Sequence, residues 1–139
     1  MADTFSKQSI TTEAAHRMIA GAEAKAAEMG TPMVIAVVDD GGHLKAFSRM
    51  DGAALLSLQI AQDKAYTAVG FGMPTHGWHD FIKDDAPLAD GAPTGIDRLV
   101  IFGGGYPITV DDQVVGAIGV SGGHYSEDQQ VAEAGLAAL

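Results

Sequence analysis

Gly103 to Asp128 reads GGGYPITVDDQVVGAIGVSGGHYSED, and the rest of the chain is organised around this stretch. Ile108–Val110 and Val114–Val120 are short apolar, β-branched runs separated by Asp111-Asp112-Gln113. That pattern predicts a β-hairpin, and its second strand lacks polar alternation, as a strand buried on both faces does. Ser121-Gly122-Gly123-His124 then bends into a final helix over Ser126–Leu139. Ser126 is the expected N-cap, with Glu127 and Asp128 in the first turn. A buried strand, a glycine bend and a helix N-terminus bring backbone N–H groups together, which suits a carboxylate or phosphate. A bend of this kind also serves as a plain connection.

Upstream, residues 1–8 read as a loose arm. Thr11–Met29 is a predicted helix with Ser9 or Thr11 as cap, Glu13 in its first turn and Gly30 as its stop. Its apolar stripe of Ala15, Met18, Ile19, Ala22, Ala26 and Met29 is made largely of small residues. Met33–Val38 is a central strand, Asp39-Asp40-Gly41-Gly42 a hairpin turn, and His43–Arg49 the return strand. Ala53–Val69 is a second helix, apolar most of the way round, with Lys64 as a lone cation. Such a lysine has a carboxylate partner or snorkels to water. Pro74–Phe81 forms a short helix capped by Thr75, residues 83–95 a loop rich in Pro, Gly and Asp, and Arg98–Phe102 a strand.

The order is α-β-β-α-(loop)-β-β-β-α. Tight turns between strands imply an antiparallel sheet, here of about five strands, with helices on both faces in an α/β (α+β) fold. The 139 residues fit one domain with a real core, 47% of them hydrophobic. With 8 Lys and Arg against 18 Asp and Glu, the net charge of −10 argues against nucleic acid and anionic membranes as partners. The absence of cysteine excludes disulfides and thiolate chemistry. No run approaches the ~18 apolar residues of a membrane span, and the N-terminus shows no leader pattern, so a cytoplasmic location is expected.

Nothing in the sequence matches a nucleophile elbow, a Walker loop or a dinucleotide fingerprint, so no nucleotide cofactor is expected. His16 reads as surface and His43 as a turn residue. His76 and His79 are spaced i, i+3 with Asp80 beside them, a pattern able to bind a metal. His124 follows the glycine bend and would overhang the anion seat. Arg49, at a strand end beside a buried helix, offers a planar fork to a carboxylate or pairs internally with Asp51 or one of the loop acids.

The runs DDGGHLKAFSRMDGAALLSLQIAQDKAYTA, GGGYPITVDDQVVGAIGVSGG and SEDQQVAEAG together resemble the GlcG/HbpS-like haem-binding family, which includes the C-terminal domain of PduO-type proteins. The likeness runs from about Thr11 to Leu139. Its most specific pieces are Arg49-x-Asp51-Gly52-Ala53, Lys64-Ala65, Gly104-Gly105-x-Pro107-Ile108 and Gly116–Gly123. The resemblance implies a profilin-like α-β-α sandwich that assembles into a homodimer or larger homo-oligomer. It also implies haem as ligand, with haem degradation or iron handling as associated activities.

For haem, Phe71, Met73 and Trp78 would supply walls, Arg49 or Lys64 would hold a propionate, and His76, His79 or His124 would ligate iron. Two other readings stay open. In one, a small-carboxylate enzyme binds its substrate at Arg49, Gly104, Gly105, Gly122 and Gly123, while His124 or Lys64 moves protons. In the other, the chain is a non-catalytic accessory subunit.

Overall fold

The computed structural model describes residues 1–139. In chain order the elements are α1 (Thr12–Met29), β1 (Val34–Asp39), β2 (Leu44–Arg49), α2 (Ser57–Phe71) and α3 (Gly77–Ile82). They continue with α4 (Ala86–Gly95), β3 (Gly105–Val110), β4 (Gln113–Ser121) and α5 (Tyr125–Ala137). The sheet is antiparallel throughout, in the order β2-β1-β4-β3. Both predicted hairpins are present, and the long β1–β4 pairing joins them.

Register divides the core between two helical layers. Ile35 faces Val120 and Val37 faces Ile118, and this side packs on Met18, Ile19, Ala22 and Ala26 of α1 and Val131 and Ala132 of α5. Val34, Ala36, Val38 and Ala117 point to the other side, where Ala61, Ala65 and Ala68 of α2 cover them. The second face is lined by small residues because the α2 backbone lies almost on the strand. A side chain on Gly119 would stand 2.5 Å from the Ala65 nitrogen and collide with the Ala61 carbonyl. β4 is therefore sandwiched, which explains its unbroken apolar run.

The sheet has four strands, one fewer than expected. Residues 98–102 cannot join it because Arg98 takes a left-handed φ of 63°, which turns the chain out of an extended path. Thr67 holds this segment in place of a ladder: its hydroxyl donates to the Arg98 carbonyl at 2.9 Å and accepts from the Val100 N–H at 3.0 Å.

The expected loop over 83–95 instead contains α4. Asp85 caps it by accepting from Leu88 N–H at 3.4 Å, and Pro87 lies in the first turn, where a missing N–H costs nothing. Pro93 removes only one late hydrogen bond. α2 begins at Ser57, four residues later than expected, after a turn from Asp51. Thr75 does not cap α3; it is fully buried and serves β3 instead.

Gly30 and Thr11 cap α1 as expected. Within the expected arm Lys7 pairs with Asp40 at 2.8 Å, and just beyond it the Ile10 N–H donates to the Val115 carbonyl at 3.0 Å.

Candidate functional site

Lys64 sits in the middle of α2 on the face that meets the sheet, and none of its surface reaches solvent. A cation there demands a partner, because an uncompensated buried charge is costly. Its Nζ donates to Asp128 Oδ2 at 2.8 Å and to the Val120 carbonyl at 2.8 Å, with the Phe102 ring centroid 5.2 Å away. Asp128, in the first turn of α5, is also buried, and its Oδ1 accepts the Gly123 N–H at 3.0 Å. Burial pushes the Lys64 ammonium below the usual lysine range, and the nearby Asp128 charge only partly opposes this. Burial likewise pushes the Asp128 carboxyl up, opposed by Lys64 and by the Gly123 N–H.

Gly104 makes room for this pair. Its φ of 125° suits glycine, and a Cβ would stand 2.7 Å from Lys64 Nζ and 2.7 Å from the Val120 carbonyl. Gly105 is pinned to α3's approach: its N–H donates to Thr75 Oγ1 at 2.9 Å and its carbonyl accepts the Thr75 N–H at 2.9 Å. Gly104 and Gly105 are buried and line no cavity.

Two amides of the glycine bend are already in use. Asp128 takes the Gly123 amide, Glu127 accepts the His124 N–H at 3.1 Å, and His124 Nδ1 accepts the Ser126 N–H at 3.2 Å. The N-cap is therefore His124, in a capping box with Glu127, rather than Ser126. The amides expected to seat an added carboxylate at Gly123 and His124 bind the chain's own acceptors.

Two open cavities lie in this region, and the buried pair lines one of them. One, of about 360 Å³, is lined by Ser57, Lys64, Ser121, Gly122, Gly123, His124 and Asp128. The other, of about 410 Å³, is lined by His76, His79, Asp80, Ile101 and Gly103. Phe102 and Tyr125 line both, so the two cavities are neighbours along one groove, with these side chains as their common wall. Each volume falls within the roughly 300–1,000 Å³ usual for small-molecule sites. His76, His79 and His124 are exposed along this groove, and His76 meets Tyr106 edge-on with centroids 5.5 Å apart. Nowhere do three or more His, Cys, Asp or Glu side chains gather in a way that could hold a metal ion.

The structure brings Lys64, His124, Gly122, Gly123, His76 and His79 to this groove and leaves the other expected residues outside it. Arg49 pairs in register with Val34, which pairs with Ser121, so it lies at the same end of the sheet and on the α2 side, ~10 Å away across two strands. It is exposed and lines no part of the groove. Phe71 and Trp78 wall a separate cavity with Tyr66 and Leu99. Asp128, Phe102 and Tyr125 were not singled out as site residues. Lys64 in an apolar helix signalled a hidden carboxylate, but nothing local points to a residue 64 positions on.

Residues 10–137 match the family model described as haem degrading protein HbpS-like. Among relatives, a 15.0 kDa protein of the dhaT–dhaS intergenic region of Citrobacter freundii is 42% identical over 127 residues, 91% of this chain and 89% of that protein. Protein GlcG of Escherichia coli K12 is 37% identical over 112 residues, 81% of each chain. Among solved structures, Klebsiella pneumoniae protein ORFY superposes with a TM-score of 0.93 at 37% identity, covering 99% of this chain and 95% of that one. A PduOC–haem complex superposes with a TM-score of 0.86 at 31% identity, covering 94% and 95%.

Proposed function

The chain belongs to the HbpS-like haem-degrading protein family, and from that premise we propose that it binds haem in the groove between α3 and the α5 N-terminus. The observation that carries the proposal is an open cavity of about 410 Å³ with the exposed imidazoles of α3 on one side and Phe102 and Tyr125 on the other, the latter shared with a neighbouring cavity. The residues fit the group. Ile101, Phe102 and Tyr125 offer apolar surface to a flat macrocycle, and His76 or His79 offers a nitrogen to its iron. Bound haem would supply a redox-active iron centre. This chain's residues supply the walls, the imidazole and, through Lys64–Asp128, a rigid floor.

His124 is the weaker ligand candidate, because its Nδ1 already accepts the Ser126 N–H and closes the helix cap. Haem degradation or iron handling and assembly into a homo-oligomer, suggested by the same family, belong to the same proposal, as does the cytoplasmic location expected from the sequence. Leu55 and Leu56, 74% and 76% exposed, support the assembly as surface for a second copy. The small-carboxylate reading loses support, since Asp128 and Glu127 take the Gly123 and His124 amides and Arg49 lines no part of the groove.

The test is titration with hemin. A saturable shift of the Soret band is expected, lost in either His76→Ala or His79→Ala and kept in His124→Ala. A flat titration, or a shift that survives substitution of both α3 histidines, refutes the assignment. Light scattering should find a mass that is a multiple of 14.3 kDa.

A further inference from the structure

Two histidines of the α3 region open onto the cavity of about 410 Å³, and the fold holds only one of their rings in place. His76 follows Thr75, which is fully buried and bonded twice to Gly105. The Thr75 N–H donates to the Gly105 carbonyl, and the Thr75 hydroxyl accepts the Gly105 N–H, both at 2.9 Å. Tyr106 comes next after Gly105, so these bonds bring His76 alongside Tyr106. The two rings meet edge-on, 63° apart in plane and 5.5 Å between centroids.

Tyr106 is itself fixed at three points. Its backbone pairs with Ile118 of β4, its ring packs against the core shared with α1 and α5, and its hydroxyl donates to Glu133 of α5 at 2.9 Å. The His76 ring therefore rests on a ring that is held along its whole length. His76 stays exposed to the cavity. The imidazole nitrogens that bind protein atoms are those of His43 and His124, so both nitrogens of His76 are open.

His79 shares the open nitrogens but not the support. α3 buries Trp78 and Ile82, and His79 stands on its exposed side. The neighbouring aromatic cluster of Phe71, Trp78 and Phe81 packs on itself without the His79 ring. A metal ligand gains from a ring whose orientation is set beforehand, because a freely turning side chain must be ordered on binding. We infer that, within the haem reading proposed above and resting on it, His76 ligates the iron and Tyr106 is the positioning residue that presents it. Tyr106 lines no part of the groove and acts through His76.

Hemin titration tests both halves, with electron paramagnetic resonance of the ferric complex to read the axial ligand. His76→Gly should lose the nitrogen-ligated signal, and added imidazole should restore it, whereas His79→Gly should keep the signal unaided. Tyr106→Phe and Tyr106→Leu both lose the bond to Glu133, so an effect common to the two is structural. The phenylalanine ring still backs His76 and should leave a single ferric species. Leucine removes that ring, and Tyr106→Leu should bind hemin at least about threefold more weakly than Tyr106→Phe and show a second species. A signal lost in His79→Gly and kept in His76→Gly overturns the assignment and leaves the haem proposal standing. Equal affinities and spectra in the two Tyr106 variants overturn the positioning role. A flat titration of the unchanged chain overturns the ligand assignment and the haem proposal together.

Discussion

Replacing Lys64 with methionine tests whether the buried ion pair holds the glycine bend and α5 to the rest of the molecule. The side chain keeps its unbranched apolar stem and loses the ammonium. Asp128 is then left 2% exposed, with the Gly123 N–H as its remaining donor, and the Val120 carbonyl loses the 2.8 Å donation from Nζ. Removing one partner of a buried pair costs about 3–5 kcal/mol. For a chain of this length that corresponds to a fall in Tm of about 10–15 °C. The double variant Lys64→Met, Asp128→Leu leaves no charge behind and should recover to wild-type stability or exceed it by about 1–4 kcal/mol.

The two groups also set a pH signature. Burial lowers Lys64, so between its folded value and the ordinary 10.5 the unfolded chain holds a proton that the folded chain lacks. The contribution of Lys64 is full above 10.5 and is lost as pH falls through its folded value. Burial raises Asp128, so its contribution is full below the ordinary 3.8 and is lost as pH rises through its folded value. The double variant should therefore show a flatter dependence of stability on pH. Urea denaturation followed by circular dichroism across pH measures both effects. A cost below about 1 kcal/mol for Lys64→Met, or a double variant no more stable than the single, would refute the reasoning.

Gly104→Ala should cost at least about 1–3 kcal/mol from backbone conformation alone, because φ is 125°, with a further loss from crowding against Nζ and the Val120 carbonyl. A neutral result in urea denaturation would show that the site has room the structure denies. Thr75→Val keeps the shape but strands the buried Gly105 N–H, and should lower stability by about 1–3 kcal/mol in the same assay. Tyr106, whose hydroxyl donates to Glu133 at 2.9 Å, has its pKa pushed up to about 12, first by burial and then by that bond. Ultraviolet titration should find this tyrosine ionising at about 12, and Glu133→Gln should bring it partway down. Its contribution to stability is full below the ordinary 10.0 and is lost as pH rises through about 12.

Much of the architecture was legible because its signals are local. The unbroken run Val114–Val120 declared a strand covered on both faces, and the turns at Asp39–Gly42 and Asp111–Asp112 declared hairpins, since apolar periodicity and turn chemistry act over a few residues. The family likeness rested on glycine positions whose role is now physical. Gly119 seats α2 on the sheet, and Gly104 leaves space for Lys64 Nζ.

The errors fell where a distant side chain overrode a local pattern. Arg98–Leu99–Val100–Ile101–Phe102 reads as a strand, yet Thr67, on another helix, bends it out of the sheet. The bend at Gly122–Gly123 reads as open anion-binding amides, yet the chain supplies its own carboxylates. Sequence alone determined that Lys64, a cation in an apolar helix, needs either a carboxylate partner or a route to water. Only the tertiary structure decided that the partner is Asp128, that His76 and His79 share a groove with this pair while Phe71 and Trp78 do not, and that Arg49 stands outside. Burial and periodicity are written every two to four residues, whereas pairing across 64 positions depends on how whole layers stack, and no local pattern encodes that.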